Sequence, residues 1–206
     1  MQVAILVFDG LTVLDAVGPY EVLSWIPDAD VRLVGIDTGP KRNHKGTLAL
    51  VADWSLDDVP RPDVVVVPGG PGEEALRWDA HVLDWLRKAH ETSEWTTSVC
   101  TGALLLAAAG ILDGVEATTH WASIEQLAML GATPVRERVV IRDKVITAAG
   151  VSAGIDMALR LTQMIAGDDI AQAIQLVMEY DPQPPFDAGS PDRAPAHIVD
   201  LVSRQT

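Results

Sequence analysis

The chain has 206 residues, 48% hydrophobic and 21% charged, a composition that suits one globular domain with a full core and excludes a disordered chain. A net charge of −14 repels phosphate backbones and argues against nucleic acid as a partner. One cysteine leaves no intramolecular disulfide, and no apolar run reaches the roughly 18–20 residues of a bilayer span, so a cytoplasmic protein without membrane contact is expected.

In chain order, Met1 to Val7 has no basic leader and runs directly into a strand over 3–8, so no signal peptide is expected. A helix over 14–25 follows, then strands over 31–36 and 48–51. Four β-branched residues, Val64 to Val67, lie between Pro62 and Pro68 and predict a central strand. A helix over 80–90 leads to a strand over 95–99 and a helix over 102–109. A small strand around Thr118, a helix over 122–130 and a hairpin of 139–141 with 145–147 come next. Helices over 153–165 and 169–180 close the pattern. Strands and helices alternating at this spacing predict a three-layer α/β fold, a mainly parallel sheet with helices on both faces. The chain is read as a single domain, 1–206, with a proline-rich tail, 181–206, that is irregular until a helix over 196–203 and wraps the domain or a partner subunit.

Cys100 stands where a strand ends and a small-residue helix begins, the edge at which open parallel sheets bind ligands. Free N–H groups and the helix dipole there favour a thiolate with a lowered pKa. A tight strand-to-helix elbow also presents its side chain in an exposed, strained geometry. A lone cysteine is often an inert core residue, but the elbow position favours a nucleophile. Pro68-Gly69-Gly70-Pro71-Gly72 follows the valine strand, and adjacent strands would set it beside Cys100. The amides of Gly70 and Thr101 are then candidates for stabilising a developing anion, against the plainer reading of a Gly/Pro turn. Asp15 directly precedes a helical pattern and reads, on its own, as a helix N-cap. His44, His81, His90 and His197 read as surface residues, and no metal-ligand cluster is present in the sequence. Trp25, Trp54, Trp78 and Trp121 are pocket candidates, although aromatic residues are more often core.

Taken together, Asp15 with Gly18-Pro19-Tyr20-Glu21, the valine strand into Pro68-Gly69-Gly70, and Ser98-Val99-Cys100-Thr101-Gly102-Ala103 resemble the ThiJ/PfpI superfamily. Thr118-Thr119-His120-Trp121 and Gly150-Val151-Ser152-Ala153-Gly154-Ile155-Asp156 extend the resemblance over roughly residues 3–180. It implies a flavodoxin-like, class I glutamine-amidotransferase-like fold with a nucleophile elbow. Protease-like relatives carry a histidine after the cysteine, where this chain has Thr101, and many relatives carry a glutamate in the first helix, where it has Asp15. Those departures turn the resemblance towards the isonitrile hydratases.

That branch implies hydration of a small uncharged isonitrile to an N-substituted formamide, with no cofactor. The resemblance assigns Cys100 as nucleophile and Asp15 as acid/base with a raised pKa. It gives Thr101 a substrate- or water-binding hydroxyl and an anion-site amide, beside Gly70. His120, 20 positions after Cys100, orients the pocket or relays a proton, or is a structural partner of Trp121. Relatives imply a homodimer. The competing readings are a non-enzymatic ligand-binding domain, as in AraC-type regulators whose basic helix-turn-helix region this sequence lacks, and a redox sensor using Cys100.

Overall fold

The computed structural model describes residues 1–204; the last two positions of the expected tail, Gln205 and Thr206, lie outside the described residues. Among the described residues, seven strands form the main sheet. Their spatial order is Val139–Arg142, Val145–Ala148, Trp95–Val99, Val64–Val67, Gln2–Leu6, Asp30–Gly35 and Trp54–Ser55. Every neighbouring pair is parallel except the Val139–Arg142/Val145–Ala148 hairpin. Val64–Val67 is buried at every position, because a strand in the middle of a parallel sheet is covered on both faces. The helices pack in two groups. Val13–Leu23 and Asp168–Val177 both pack on Ala153–Ala166, whereas Ala80–Thr92 and Ile124–Met129 pack on Gly102–Ala108.

Several elements differ from the expected pattern. Ala49–Ala52 does not join the main sheet; it pairs antiparallel with Gly39–Arg42, a strand that glycine and proline disguise as a turn. The small strand is Glu116–Ala117, paired with Thr133–Pro134; beyond it the Thr118 N–H donates to the Thr147 hydroxyl and the Thr119 hydroxyl donates to the Cys100 carbonyl. Trp121–Ser123 is a 3-10 turn preceding the helix Ile124–Met129. The tail after Tyr180 is mostly exposed, and its helix Ala196–Ser203 buries no residue.

The parallel strands end along one edge. Ser98 is level with Val67 on one side and with Thr147 on the other, so the loops after those strands flank Cys100. The crossing of Val13–Leu23 over Ala153–Ala166 brings a third element there. A Cβ on Gly18 would meet Ile155, and one on Gly154 would meet Val99 and Pro19, so these glycines set how closely the helices approach. Pro19, inside the first helix, has no N–H to give the carbonyl of Asp15 one turn back.

Gly102 opens the helix after the elbow, and a Cβ there would fall inside the shell of the Val67 carbonyl oxygen, a backbone atom that cannot swing aside. Gly102→Ala is therefore expected to destabilise the protein by about 3 kcal/mol, read as a lower urea midpoint at unchanged slope.

Candidate active site

Cys100 follows the last residue of the central strand with φ of 57°, in the left-handed region that a non-glycine residue occupies at a cost of about 1–2 kcal/mol. The surroundings hold it there. Its N–H donates to the carbonyls of Ala148 at 3.1 Å and Ala149 at 2.9 Å, and its own carbonyl accepts the Thr119 hydroxyl at 2.8 Å. The backbone N–H groups of Thr101 and Val151 face the sulfur.

Asp15 lies in the first turn of Val13–Leu23, and the N-cap is Thr12. The carboxyl is fully buried. Oδ2 accepts the Gly69 N–H at 3.0 Å, while the Gly69 carbonyl accepts the Thr12 N–H at 2.8 Å, a two-bond clamp between helix and glycine loop. Oδ1 has no well-aligned donor. The Cys100 thiol lies close enough to pull the carboxyl pKa down a little, but burial dominates and raises it to about 7.

The same burial, reinforced by the Asp15 charge, pushes the Cys100 pKa up to about 12 against the pull of the Thr101 and Val151 amides. This corrects the expected lowered pKa: Cys100 is only 5% exposed, and loss of water outweighs what the short helix and its amides return. The resting group is a thiol beside a carboxyl, not a free thiolate.

Thr101 precedes the helix Gly102–Ala108, yet its hydroxyl caps nothing. It accepts the Gly70 N–H at 2.9 Å, so that amide is already engaged and is not a free donor to a developing anion. Gly69 is the closer neighbour, because a Cβ there would collide with Thr101 N and Oγ1. His120 Nδ1 accepts the Ala122 N–H at 3.3 Å, which leaves the neutral ring its proton at Nε2, the side lying against Gly150. Its ring tilts against Trp121 at 5.6 Å, and burial lowers its pKa.

A cavity of about 460 Å³ borders this group, lined among others by Leu14, Thr119, His120, Trp121, Ile124 and Val151. Cys100 and Asp15 are not among the lining residues; they adjoin them through Leu14, the chain neighbour of Asp15, and through Thr119 and Val151, which contact Cys100. Of the four tryptophan candidates only Trp121 lines it: Trp25 and Trp78 are exposed, and Trp54 packs under the Arg32 guanidinium. Of the four expected surface histidines, His90 is instead half-buried, bonded to the Thr96 hydroxyl at 2.9 Å. Among the described residues no three His, Cys, Asp or Glu side chains converge as metal ligands, and no helix is long and apolar enough to cross a membrane. Sequence reasoning gave no role to Gly69, Thr119 or Val151, although each sat inside a quoted motif.

Comparison with known proteins places this geometry among relatives. The chain is 46% identical over 205 residues to isonitrile hydratase of Pseudomonas putida, covering 100% of this chain and 90% of that protein. It is 33% identical over 144 residues to the HTH-type transcriptional regulator CdhR of Pseudomonas aeruginosa, covering 68% of this chain and 41% of the regulator. The crystal structure of a ThiJ/PfpI family protein from Pseudomonas syringae superposes with a TM-score of 0.95 at 37% identity, covering 99% of this chain and 85% of that one. The DJ-1/PfpI family profile matches residues 1–164, and the chain belongs to that family.

Proposed function

We propose that this chain is an isonitrile hydratase, converting R–NC and water to R–NH–CHO, with Cys100 as nucleophile and Asp15 as proton carrier. What carries the reading is the end-to-end similarity to such an enzyme, together with a buried thiol–carboxyl pair beside a cavity.

The chemistry needs sulfur and hydrogen added to the same carbon. A thiol paired with a carboxylate holds both. Asp15 takes the S–H proton as the sulfur attacks the terminal isonitrile carbon, then delivers it to that carbon, giving the thioimidate R–N=CH–S–Cys100. Water then adds to the thioimidate carbon as Asp15 accepts one of its protons. The C–S bond breaks, nitrogen ends with one proton and sulfur with the other, and the formamide leaves. No net charge is created in either half, which suits a site with little water. Thr101 sets the position of the Gly70 loop through its hydroxyl. His120 borders the cavity with Nε2 protonated and is a donor for the bound water or the formamide oxygen. We further read the chain as one cytoplasmic domain that works as a homodimer on a small uncharged isonitrile, without a cofactor.

The test is incubation of the wild type with cyclohexyl isocyanide and several simple isonitriles, with mass spectrometry for the formamide. Product across part of the panel is expected; no product from any member would overturn the reading. The likeness to a transcriptional regulator favours a ligand-binding domain as the second reading in that event. A redox sensor is disfavoured by the raised thiol pKa, because the thiolate is the form that oxidises.

A further inference from the structure

Building on the hydratase reading, we propose that residues 189–193 of the proline-rich tail form the wall that selects the substituent R of the isonitrile. The cavity beside Cys100 has two faces. One belongs to the body of the fold: Val151, whose amide faces the sulfur, the apolar side chains of Leu14, Trp121 and Ile124, and the polar His120 and Arg138 among others. The other is the tail, from Gly189 to Arg193. Because the lining residues Val151 and Thr119 contact Cys100, a substrate entering from this cavity with its reacting carbon at the sulfur holds R between these faces. At about 460 Å³ the space lies towards the small end of ligand pockets, which run from roughly 300 to 1,000 Å³. A shift of the wall by the width of a methylene is therefore felt in affinity, and Leu14, Trp121 and Ile124 offer apolar contact to a compact hydrocarbon R.

The wall has its own internal bracing. Arg193 N–H and Ala194 N–H donate to the Ser190 carbonyl at 3.1 and 2.9 Å, and the Arg193 guanidinium pairs with Asp187 at 2.8 Å while reaching the Ser190 hydroxyl at 3.4 Å. Arg193 thus lines the cavity and braces the turn that closes it. The start of the tail is tied to the cavity rim through one carboxylate. Tyr180 donates to Asp156 Oδ1 at 2.7 Å, and Asp156 pairs with Arg138, which also lines the cavity and donates to the Ser152 hydroxyl at 3.3 Å.

Two full-length variants test this. Arg193→Ala removes the side chain and its bracing. Gly189→Phe adds bulk at a position where a Cβ would meet only Arg193 Nη2, at 3.9 Å, with no backbone strain. Each is assayed with tert-butyl, cyclohexyl and 2-naphthyl isocyanide. In parallel, alkylation of Cys100 by iodoacetamide and by N-phenylmaleimide is timed. Arg193→Ala is expected to raise the naphthyl to tert-butyl ratio of kcat/KM by about tenfold, and Gly189→Phe to lower it by about as much. The maleimide to iodoacetamide ratio should move in the same senses. If both ratios stay within twofold of wild type in both variants, the wall assignment falls while the hydratase reading stands. If no variant or wild type yields formamide but the labelling ratios move as stated, the wall stands and the hydratase reading falls.

Discussion

Replacement of Cys100 by alanine is expected to lower kcat for cyclohexyl isocyanide by at least about 10³-fold while leaving the fold intact. Alanine removes the only atom able to form the thioimidate, so what remains is whatever Asp15 and the bound water achieve without a covalent intermediate. Stability should change by no more than about 1 kcal/mol, because one small buried atom is lost and the left-handed backbone at this position is kept. Formamide production followed by mass spectrometry reads the first quantity and thermal melting the second. Serine is expected to do no better than alanine: its hydroxyl loses a proton far less readily than a thiol, in surroundings that already push the thiol to about 12. Turnover by Cys100→Ala near the wild-type level would remove the nucleophile from the scheme.

What the sequence reveals about this site depends on how local the cause is. The central strands Val64–Val67 and Trp95–Val99 match the expected bounds, because a β-branched or apolar run bounded by turn residues carries its own boundary. The elbow is legible for the same reason: a strand meets a small-residue helix within two residues of Cys100. Gly39–Arg42 is not legible, because its strand character comes from pairing with Ala49–Ala52 and not from its own residues. The thiol pKa is misjudged because the local signal, amides at a helix start, is real but smaller than two tertiary effects: burial in the folded chain, and the charge of Asp15, 85 positions away. The Gly70 amide is a donor in sequence terms, and only the folded loop shows that Thr101 Oγ1 already takes it. The tail's place at the cavity is illegible in principle: prolines forbid regular structure without saying where the chain then goes.

Asp15→Asn is the other variant with a large effect, and its signature separates a chemical role from a structural one. Asparagine keeps an oxygen to accept the Gly69 N–H but carries no proton between sulfur and carbon, so kcat should fall by about 10²–10⁴-fold. The thiol should move the opposite way. The Asp15 charge is one of the causes holding the Cys100 pKa up, so its removal lowers that pKa, and alkylation by iodoacetamide at pH 8 should quicken by about tenfold. Burial also holds that pKa up, so a loosened variant would react faster too; what separates the two is a urea midpoint at pH 7 no lower than wild type alongside the lost turnover. The wild-type profile follows from the same pair. The reactive form holds one proton between sulfur and carboxyl, so kcat/KM should rise as pH passes through about 7 and then stay level well beyond the usual thiol range. Stability carries the reverse sign. The folded Asp15 pKa lies above its unfolded value, so the folded state binds the extra proton, and the benefit present below about pH 4 is lost as pH rises to about 7. Over that window the wild type should lose stability relative to Asp15→Asn by about 1.4 kcal/mol per pH unit, read as the difference between their urea midpoints. Above pH 7 the inactive variant should be the more stable protein, because the carboxylate that the chemistry requires is the group that burial disfavours most.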